Sequence, residues 1–124
     1  MATRTKRLLV YSGDRVSGTT TDYAVEISPA YNDIVYVEWS SCSVPGKVLH
    51  IEEFAGNGRT SNNTYYWRFP AEAVNSRYPL VFDPPDQARS IRRLTLHWRN
   101  ADGSVPEDFA EHTLELELWE RWGL

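Results

Sequence analysis

Residues 112–120 read HTLELELWE, and this stretch points directly to the fold class. Its leucines occupy every second position, and a period of two is typical of a strand that buries one face. The stretch Ile91–Arg99, IRRLTLHWR, repeats the pattern. The sequence therefore predicts two half-buried strands, whose buried side chains are Leu94, Leu96 and Trp98 in the first and Leu114, Leu116 and Leu118 in the second.

Shorter runs of the same kind fill the rest of the chain, and Gly, Pro and polar residues separate them. About eight strands are predicted, and no amphipathic helix of about ten residues is present. We therefore expect an all-β protein, an eight-stranded single jelly-roll sandwich of two antiparallel sheets. An immunoglobulin-like sandwich is the alternative, although the chain lacks that fold's pair of cysteines. The other expected strands are Lys6–Tyr11, Asp22–Ser28, Ile34–Ser40, Lys47–Ile51, Thr64–Phe69 and Leu80–Phe82, with a turn over Pro29–Asp33.

The length of 124 residues suits one domain. Residues 22–124 are expected to form the jelly roll, and residues 1–21 a basic N-terminal arm and a loop that belong to the same domain. Cys42 is the single cysteine, so no intrachain disulfide is possible, and it is expected to fill a small space in the core. No apolar run approaches ~20 residues, so no membrane-spanning helix is expected.

Charge is distributed unevenly along the chain. The net charge of −4 argues against a chain-wide basic surface for nucleic acid. Residues 1–18 hold four basic residues and one acidic residue, net +3, whereas residues 100–124 hold seven acidic residues and one basic residue, net −6. The basic start of one subunit could therefore meet the acidic end of a neighbouring copy, although polar arms of this kind are also often disordered.

Two tryptophans near the C-terminus add to these interface candidates. Trp119 is expected to point away from the core, and an exposed tryptophan usually marks an interface because its large apolar area is costly in water. The candidates for a subunit interface are Arg4, Lys6, Arg7, Arg15, Glu115, Glu117, Trp119 and Trp122.

Catalytic signatures are missing from the sequence. It has no Gly-rich phosphate loop in the right context, no nucleophile elbow and no Cys–His signature, and its three histidines lack metal-ligand spacing. Glu115 and Glu117 share one strand face about 7 Å apart, which paired carboxylates of a glycoside hydrolase could use. A solvated outer face is the favoured interpretation, so no enzymatic activity, cofactor or metal is expected.

Residues 12–46 read SGDRVSGTTTDYAVEISPAYNDIVYVEWSSCSVPG. This segment resembles the opening of single jelly-roll capsid proteins, notably the penton (vertex) proteins of tailless icosahedral DNA viruses, bacteriophages included. The last two strands also fit that family, whereas VLHIEEF departs from its pattern, and the matches cover about half of the chain. The matching positions are Ser12, Arg15, Gly18, Thr19, Thr20, Thr21, Asp22, Tyr23, Ser43, Val44 and Pro45.

Two residues of this motif have an expected structural role. Asp22 has a short polar side chain that can bond local backbone amides and fix the start of the first core strand. Pro45 is expected to end the second core strand where the chain leaves the sheet. The motif is therefore interpreted as structural rather than catalytic.

The resemblance implies a structural virion protein that is made in the host cytoplasm and located at the capsid vertex. Proteins of this family form homopentamers around fivefold axes and contact the major capsid protein. Some carry spike or receptor-binding proteins, and some lie above an internal viral membrane; no specific nucleic acid is implied as a partner. Two alternatives remain. One is a carbohydrate-binding β-sandwich whose stacking platform is Tyr65, Tyr66 and Trp67 or the terminal tryptophans, and the other is a minor capsid or adaptor protein of the same fold.

Overall fold

Antiparallel strands dominate the computed structural model, which describes residues 2–32, 34–44, 46–54, 67–68, 80–81 and 90–122. Two 3-10 turns, η1 and η2, interrupt the strands within these residues. The elements are β1 (Ala2–Tyr11), η1 (Ser12–Asp14), β2 (Ser17–Gly18), β3 (Asp22–Asn32), β4 (Ile34–Cys42), β5 (Lys47–Ile51), η2 (Glu52–Phe54), β6 (Trp67–Arg68), β7 (Leu80–Val81), β8 (Ser90–Asn100) and β9 (Thr113–Trp122).

The strands form two sheets in which neighbours run antiparallel. The first sheet has the order β1-β9-β4-β7 and the second the order β2-β3-β8-β5-β6. β2 adds only two residues to an edge; the other eight strands, counted in chain order, lie as 1-8-3-6 and 2-7-4-5. This is the strand order of a jelly roll, so the predicted fold class is confirmed.

The core lies between the two sheets and is supplied by alternate residues of their long strands. Leu114, Leu116 and Leu118 of β9 are completely buried, as are Leu94, Leu96 and Trp98 of β8, so the faces predicted for both strands are confirmed. β3 contributes a further row, Tyr23, Val25 and Ile27, at every second position of the predicted strand Asp22–Ser28. Cys42 is partly buried against this core, and burial raises the pKa of its thiol to about 11, which suits a space-filling role.

Pro29 does not turn the chain as predicted, because β3 continues to Asn32. The register between β3 and β8 shifts between Glu26 and Tyr31, and a bulge of this kind accommodates a residue that has no N–H to donate. The predicted strand Asp22–Ser28 is therefore correct at its start and four residues short at its end.

β4 keeps the predicted start, Ile34, but its alternation is broken twice. The register with β9 shifts between Ile34 and Tyr36 and again between Trp39 and Ser41. Each shift adds one residue to β4 and exchanges the faces that follow. Ile34, Val37 and Cys42 therefore all reach the core side, although their spacing does not follow a period of two.

The basic N-terminal segment contributes an edge strand to the first sheet. β1 begins at Ala2, four residues before the predicted strand, and pairs with β9 in ten consecutive positions from Ala2↔Trp122 to Tyr11↔Thr113. The cross-strand partners of its basic residues hold it in the sheet, as described below. Pro45 lies outside the described residues, as do most of the predicted strand Thr64–Phe69 and Phe82 of Leu80–Phe82.

The backbone conformation at position 18 explains why the motif at the start of β3 contains a glycine. Its φ of +95° lies in the left-handed region, and a Cβ there would be 2.1 Å from the carbonyl oxygen of Asp22. The amide of Thr19 donates to that same oxygen at 2.8 Å, and the amide of Trp98 donates to the carbonyl of Thr21. The motif is thus a tight turn that sets the register between β3 and β8.

Truncation of two leucines on opposite faces of the first sheet tests where the core lies. Leu116→Ala removes a completely buried side chain and should lower the free energy of unfolding by about 2–5 kcal/mol. Leu9→Ala, the matched control, alters a side chain that is 64% exposed and should change it by about 0.5 kcal/mol or less. Urea denaturation measures both, and equal losses would contradict this assignment of the faces.

Candidate functional site

The pairing of β1 with β9 brings the basic start and the acidic end of the chain together. On the core side, Val10 faces Leu114 and Leu8 faces Leu116 across the strand pair. The next two positions of this row hold Lys6 opposite Leu118 and Arg4 opposite Glu120. The apolar row therefore ends in charged residues at one end of the sandwich.

Glu120 is the centre of this charged end. Its side chain is only 3% exposed, and Arg4 Nε and Lys6 Nζ each lie 3.2 Å from Oε1. Half of the Arg4 side chain is in water, so the cations reach solvent while the carboxylate does not. A buried carboxylate needs such partners, because burying an uncompensated charge is costly.

The outer face of the same strand pair carries a second charged group. Arg7 lies directly opposite Glu117, with NH2 3.3 Å from Oε1, and its NH1 is 3.9 Å from Glu115. Glu115 accepts a hydrogen bond of 2.6 Å from the hydroxyl of Ser40 on β4. Glu117 is 5% exposed and faces Glu38 of β4, which is equally buried. These glutamates are thus partly enclosed, which differs from the fully solvated face that was expected.

Arg15 completes the set of basic interface candidates. Its NH1 donates to Glu111 at 2.7 Å and to the carbonyl of Ser12 at 2.9 Å. The ring of Tyr11 covers Gly13 beside this ion pair, and a Cβ at Gly13 would lie 2.4 Å from that ring. Arg15 therefore ties the turn after β1 to the segment before β9.

All four basic candidates have acidic partners within their own chain. Their use between subunits stays a prediction, and it would have to share or replace these intrachain contacts. Trp119 is half-buried on β9. Trp122 is the last residue of β9, and its side chain lies outside the described residues, as do Tyr65 and Tyr66 of the predicted sugar platform.

A separate polar group, which we call the His97 cluster, lies on the outer face of the second sheet and consists of Asp22, Glu52, His97 and Arg99. Asp22 and His97 are directly opposite each other on β3 and β8. His97 Nδ1 is 2.7 Å from Asp22 Oδ1, and His97 Nε2 is 2.5 Å from Glu52 Oε2 on η2. Arg99 NH2 donates to the same oxygen of Asp22 at 2.8 Å.

These contacts shift two pKa values. Burial acts to raise the pKa of Asp22, but hydrogen bonds from Arg99 and His97 outweigh it and lower the pKa to about 2. Burial acts to lower the pKa of His97, but bonds to Asp22 and Glu52 outweigh it and raise that pKa above the ordinary 6.5. Each group therefore favours the charged form of the other.

The carboxylate of Asp22 has a different role from the one predicted. It was expected to bond local backbone amides, whereas its described partners are the Thr21 hydroxyl at 2.9 Å, His97 and Arg99. The reason is that Asp22 lies directly opposite His97 of β8, and its side chain is on the outer face of the sheet, as is that of His97. Asp22 is still structural, but it fastens two strands rather than a turn.

Glu53, next to the His97 cluster, binds η2 to β8 a second time. Its Oε1 accepts the amide of Thr95 at 2.6 Å, and its Oε2 accepts the Thr95 hydroxyl at 2.9 Å. β5 ends at Ile51, which pairs with Leu96, so a side-chain carboxylate takes the place of the next backbone carbonyl in the ladder. Because Glu53 accepts the Thr95 amide, the chain can leave the sheet after β5 without leaving that amide unbonded.

A third polar group is buried at the end of the core. Trp98 Nε1 donates to the Tyr23 hydroxyl at 3.1 Å, and that hydroxyl donates to His112 Nε2 at 2.8 Å. His112 Nδ1 in turn donates to the carbonyl of Ala110 at 2.9 Å. Burial lowers the pKa of His112 below 6.5, so the imidazole is neutral and every polar atom of this chain of bonds is used.

Comparison with known proteins leaves the fold as the main clue. No protein-family model matches the chain, and no curated protein matches it. Within the part of the chain that the structure describes, no group of three or more His, Cys, Asp or Glu could hold a metal ion. The same residues include no helix with the length and apolar character needed to cross a membrane.

Reasoning from the sequence did not find Glu120 or the His97 cluster. A signal for Glu120 was present, because the alternation of HTLELELWE puts it on the side of the buried leucines. For His97 and Arg99 the signal was their outward position on β8 together with the adjacency of β3 and β8 in a jelly roll. Glu52 offered none, since its position depends on how the chain leaves β5.

Removal of one charge from the buried end of the sandwich tests the role of Glu120. Glu120→Gln should lower the free energy of unfolding by about 1–3 kcal/mol, because two cations lose the negative charge of their buried partner. Arg4→Gln is the control and should cost less than about 1 kcal/mol, since Arg4 is half exposed and Lys6 remains. Urea denaturation at low salt measures both; a larger loss in Arg4→Gln would contradict this assignment.

The pH dependence of stability tests whether His112 is neutral. Because its folded pKa is lowered, the unfolded chain binds the proton more readily, so the free energy of unfolding should fall as pH drops below 6.5. Urea denaturation near pH 7.5 and pH 5 should show a larger acid-induced loss in the native chain than in His112→Gln, which does not titrate. The contribution of His97 is common to both proteins, and identical losses would contradict a neutral His112.

Proposed function

We propose that this chain is a structural subunit of a viral capsid that forms a homopentamer at icosahedral fivefold vertices and contacts the major capsid protein. The observation that supports this most strongly is a combination of two features. The strands follow the order of a jelly roll, and the Gly18–Tyr23 motif stands at the start of β3. A sandwich of this kind can present two different side surfaces to its neighbours, and such heterologous contacts close into a ring when the rotation fits.

The outer side of the edge strand β1 is the surface that we propose for a neighbouring subunit. Leu9 and Tyr11 are two residues apart on this side, and they are 64% and 41% exposed. The charged candidates Arg7 and Glu115 flank Leu9, and an exposed apolar centre with a charged border is typical of a subunit contact. Edge strands also present unpaired backbone groups to a partner.

The mass of the purified chain in solution tests the proposed assembly. Sedimentation equilibrium should give about 72 kDa, five times the 14.3 kDa of one chain. Leu9→Glu should shift the chain toward monomer, because it places a charge in the proposed contact. Val105→Glu is the matched control, since Val105 is also about half exposed but lies in the loop before β9, and it should leave the mass unchanged.

Assembly within a shell provides the second arm of this test. Some vertex subunits assemble only in the particle, so a monomer should be mixed with major capsid protein and the particles imaged at their vertices. Density for five copies at each vertex supports the proposal. A stable monomer that is also absent from the particles overturns it, and fivefold assembly that Leu9→Glu does not weaken overturns the placement of the contact on β1.

A further inference from the structure

We propose that His97 is a pH-operated latch, which holds Glu52 of η2 against the second sheet as an imidazolium and releases it as a neutral imidazole. Each ring nitrogen of His97 faces a carboxylate oxygen, Asp22 Oδ1 at 2.7 Å and Glu52 Oε2 at 2.5 Å. A carboxylate is only an acceptor, so both nitrogens must carry a proton. Neutral imidazole has one N–H and can therefore keep only one of these two bonds.

Glu52 is the partner that leaves when His97 loses its proton. Asp22 is held by Arg99 and by the Thr21 hydroxyl as well as by His97. Glu52 is 54% exposed, and among the described residues it has no other hydrogen bond or ion pair. The one remaining N–H of His97 therefore stays bonded to Asp22. The deprotonated Nε2 then presents a lone pair that repels the Glu52 carboxylate, which is solvated by water instead.

The charged and titratable groups around His97 come from four elements. β3 supplies Asp22 and, further along, Glu26, which pairs with Arg93 of β8. β8 itself supplies Arg99, and η2 supplies Glu52 and Glu53. β5 supplies His50, whose ring stacks on that of His97 with centroids 5.9 Å apart. Like charges on these two rings would repel each other.

Opening of the latch is local because η2 has a second attachment. The carboxylate of Glu53 accepts both the amide and the hydroxyl of Thr95, and neither donor titrates near neutral pH. Glu52 directly follows Ile51, the last residue of β5. Loss of the Glu52 contact therefore loosens the point at which the chain leaves the second sheet without separating the strands.

The sign of the effect follows from the direction of the pKa shift. The bonds to Asp22 and Glu52 raise the pKa of His97 above 6.5, so their stabilisation is fully present below 6.5 and is lost as pH rises through the raised value. The latch is therefore closed below pH 6.5 and opens as pH rises through the raised pKa of His97. This inference concerns the single chain and does not rest on the proposed function.

Nuclear magnetic resonance of the full chain tests the latch. The ¹⁵N shifts of the His97 ring, followed from about pH 5 to pH 9, should report two protonated nitrogens up to a midpoint above 6.5. The amide shifts of Glu52 and Glu53 should change with the same midpoint. Above it, the protection of the Thr95 amide against hydrogen exchange, corrected for intrinsic rate, should fall roughly threefold to tenfold.

Two variants make the result decisive. Glu52→Gln should lower the His97 midpoint and abolish the coupled change at residues 52 and 53, whereas Glu107→Gln, which removes an exposed carboxylate far along the chain, should alter neither. Dispersed methyl signals from the core leucines establish that each variant is folded. A His97 midpoint at or below 6.5, or a midpoint that Glu52→Gln leaves unchanged, would overturn the proposal.

Discussion

The antiparallel pairing of the first strand with the last is the constraint on which the rest of the structure depends. Ten consecutive positions of β1 face β9, and partners such as Arg4 and Glu120 are 116 residues apart in the chain. β9 also pairs with β4 on its other side, so it is the strand through which the edge strand joins the first sheet. Its leucines then fill the space between the sheets. Because such distant contacts require closing nearly the whole chain, we expect this pairing to form late in folding.

This pairing also changes how the charge pattern of the sequence is understood. The net charges of +3 and −6 at the two ends predicted contacts between subunits. In the fold the same residues meet within one chain, where Glu120 binds Arg4 and Lys6, and Arg7 binds Glu117. Opposite charge at the two ends of a sequence therefore indicates strand pairing as readily as assembly. The exposed apolar residues of β1, rather than its charges, become the main argument for a subunit contact.

Prediction from the sequence succeeded where a strand alternates strictly and failed where the register shifts. β5, β8 and β9 were placed within two residues. In β8 and β9 the reason is a row of large apolar residues at every second position, Leu94 to Trp98 and Leu114 to Leu118, all of which are buried. The strand predicted for β3 stopped before Pro29. In β4, two bulges break the period of two that is typical of a half-buried strand, and bulges leave no clear sign in the sequence.

The candidate site was less predictable than the fold because its contacts join distant elements. The interface candidates were chosen for their charge or for their expected exposure. Whether such a side chain is available to another subunit depends on its partners within the chain, which alternation does not identify. Asp22 was found as a structural residue, yet its partners His97 and Arg99 are 75 and 77 residues away. Only the adjacency that a jelly roll gives its second and seventh strands could have linked them. The position of Glu52 depends on a single 3-10 turn after β5, for which the sequence has no periodic signal.

Two histidines need opposite protonation states, and together they set the pH range in which the hydrogen bonds of both are intact. His112 must be neutral, because its Nε2 accepts a hydrogen bond from the Tyr23 hydroxyl in the core, and burial lowers its pKa. His97 must be charged, because it bonds two carboxylates on the outer face, and they raise its pKa. Falling pH therefore disturbs the end of the core, whereas rising pH disturbs the outer attachment of η2. The hydrogen bonds of His112 and Tyr23 join β3, β8 and the segment before β9, so their loss at low pH affects the whole sandwich. Loss of the Glu52 contact as pH rises affects one turn, η2.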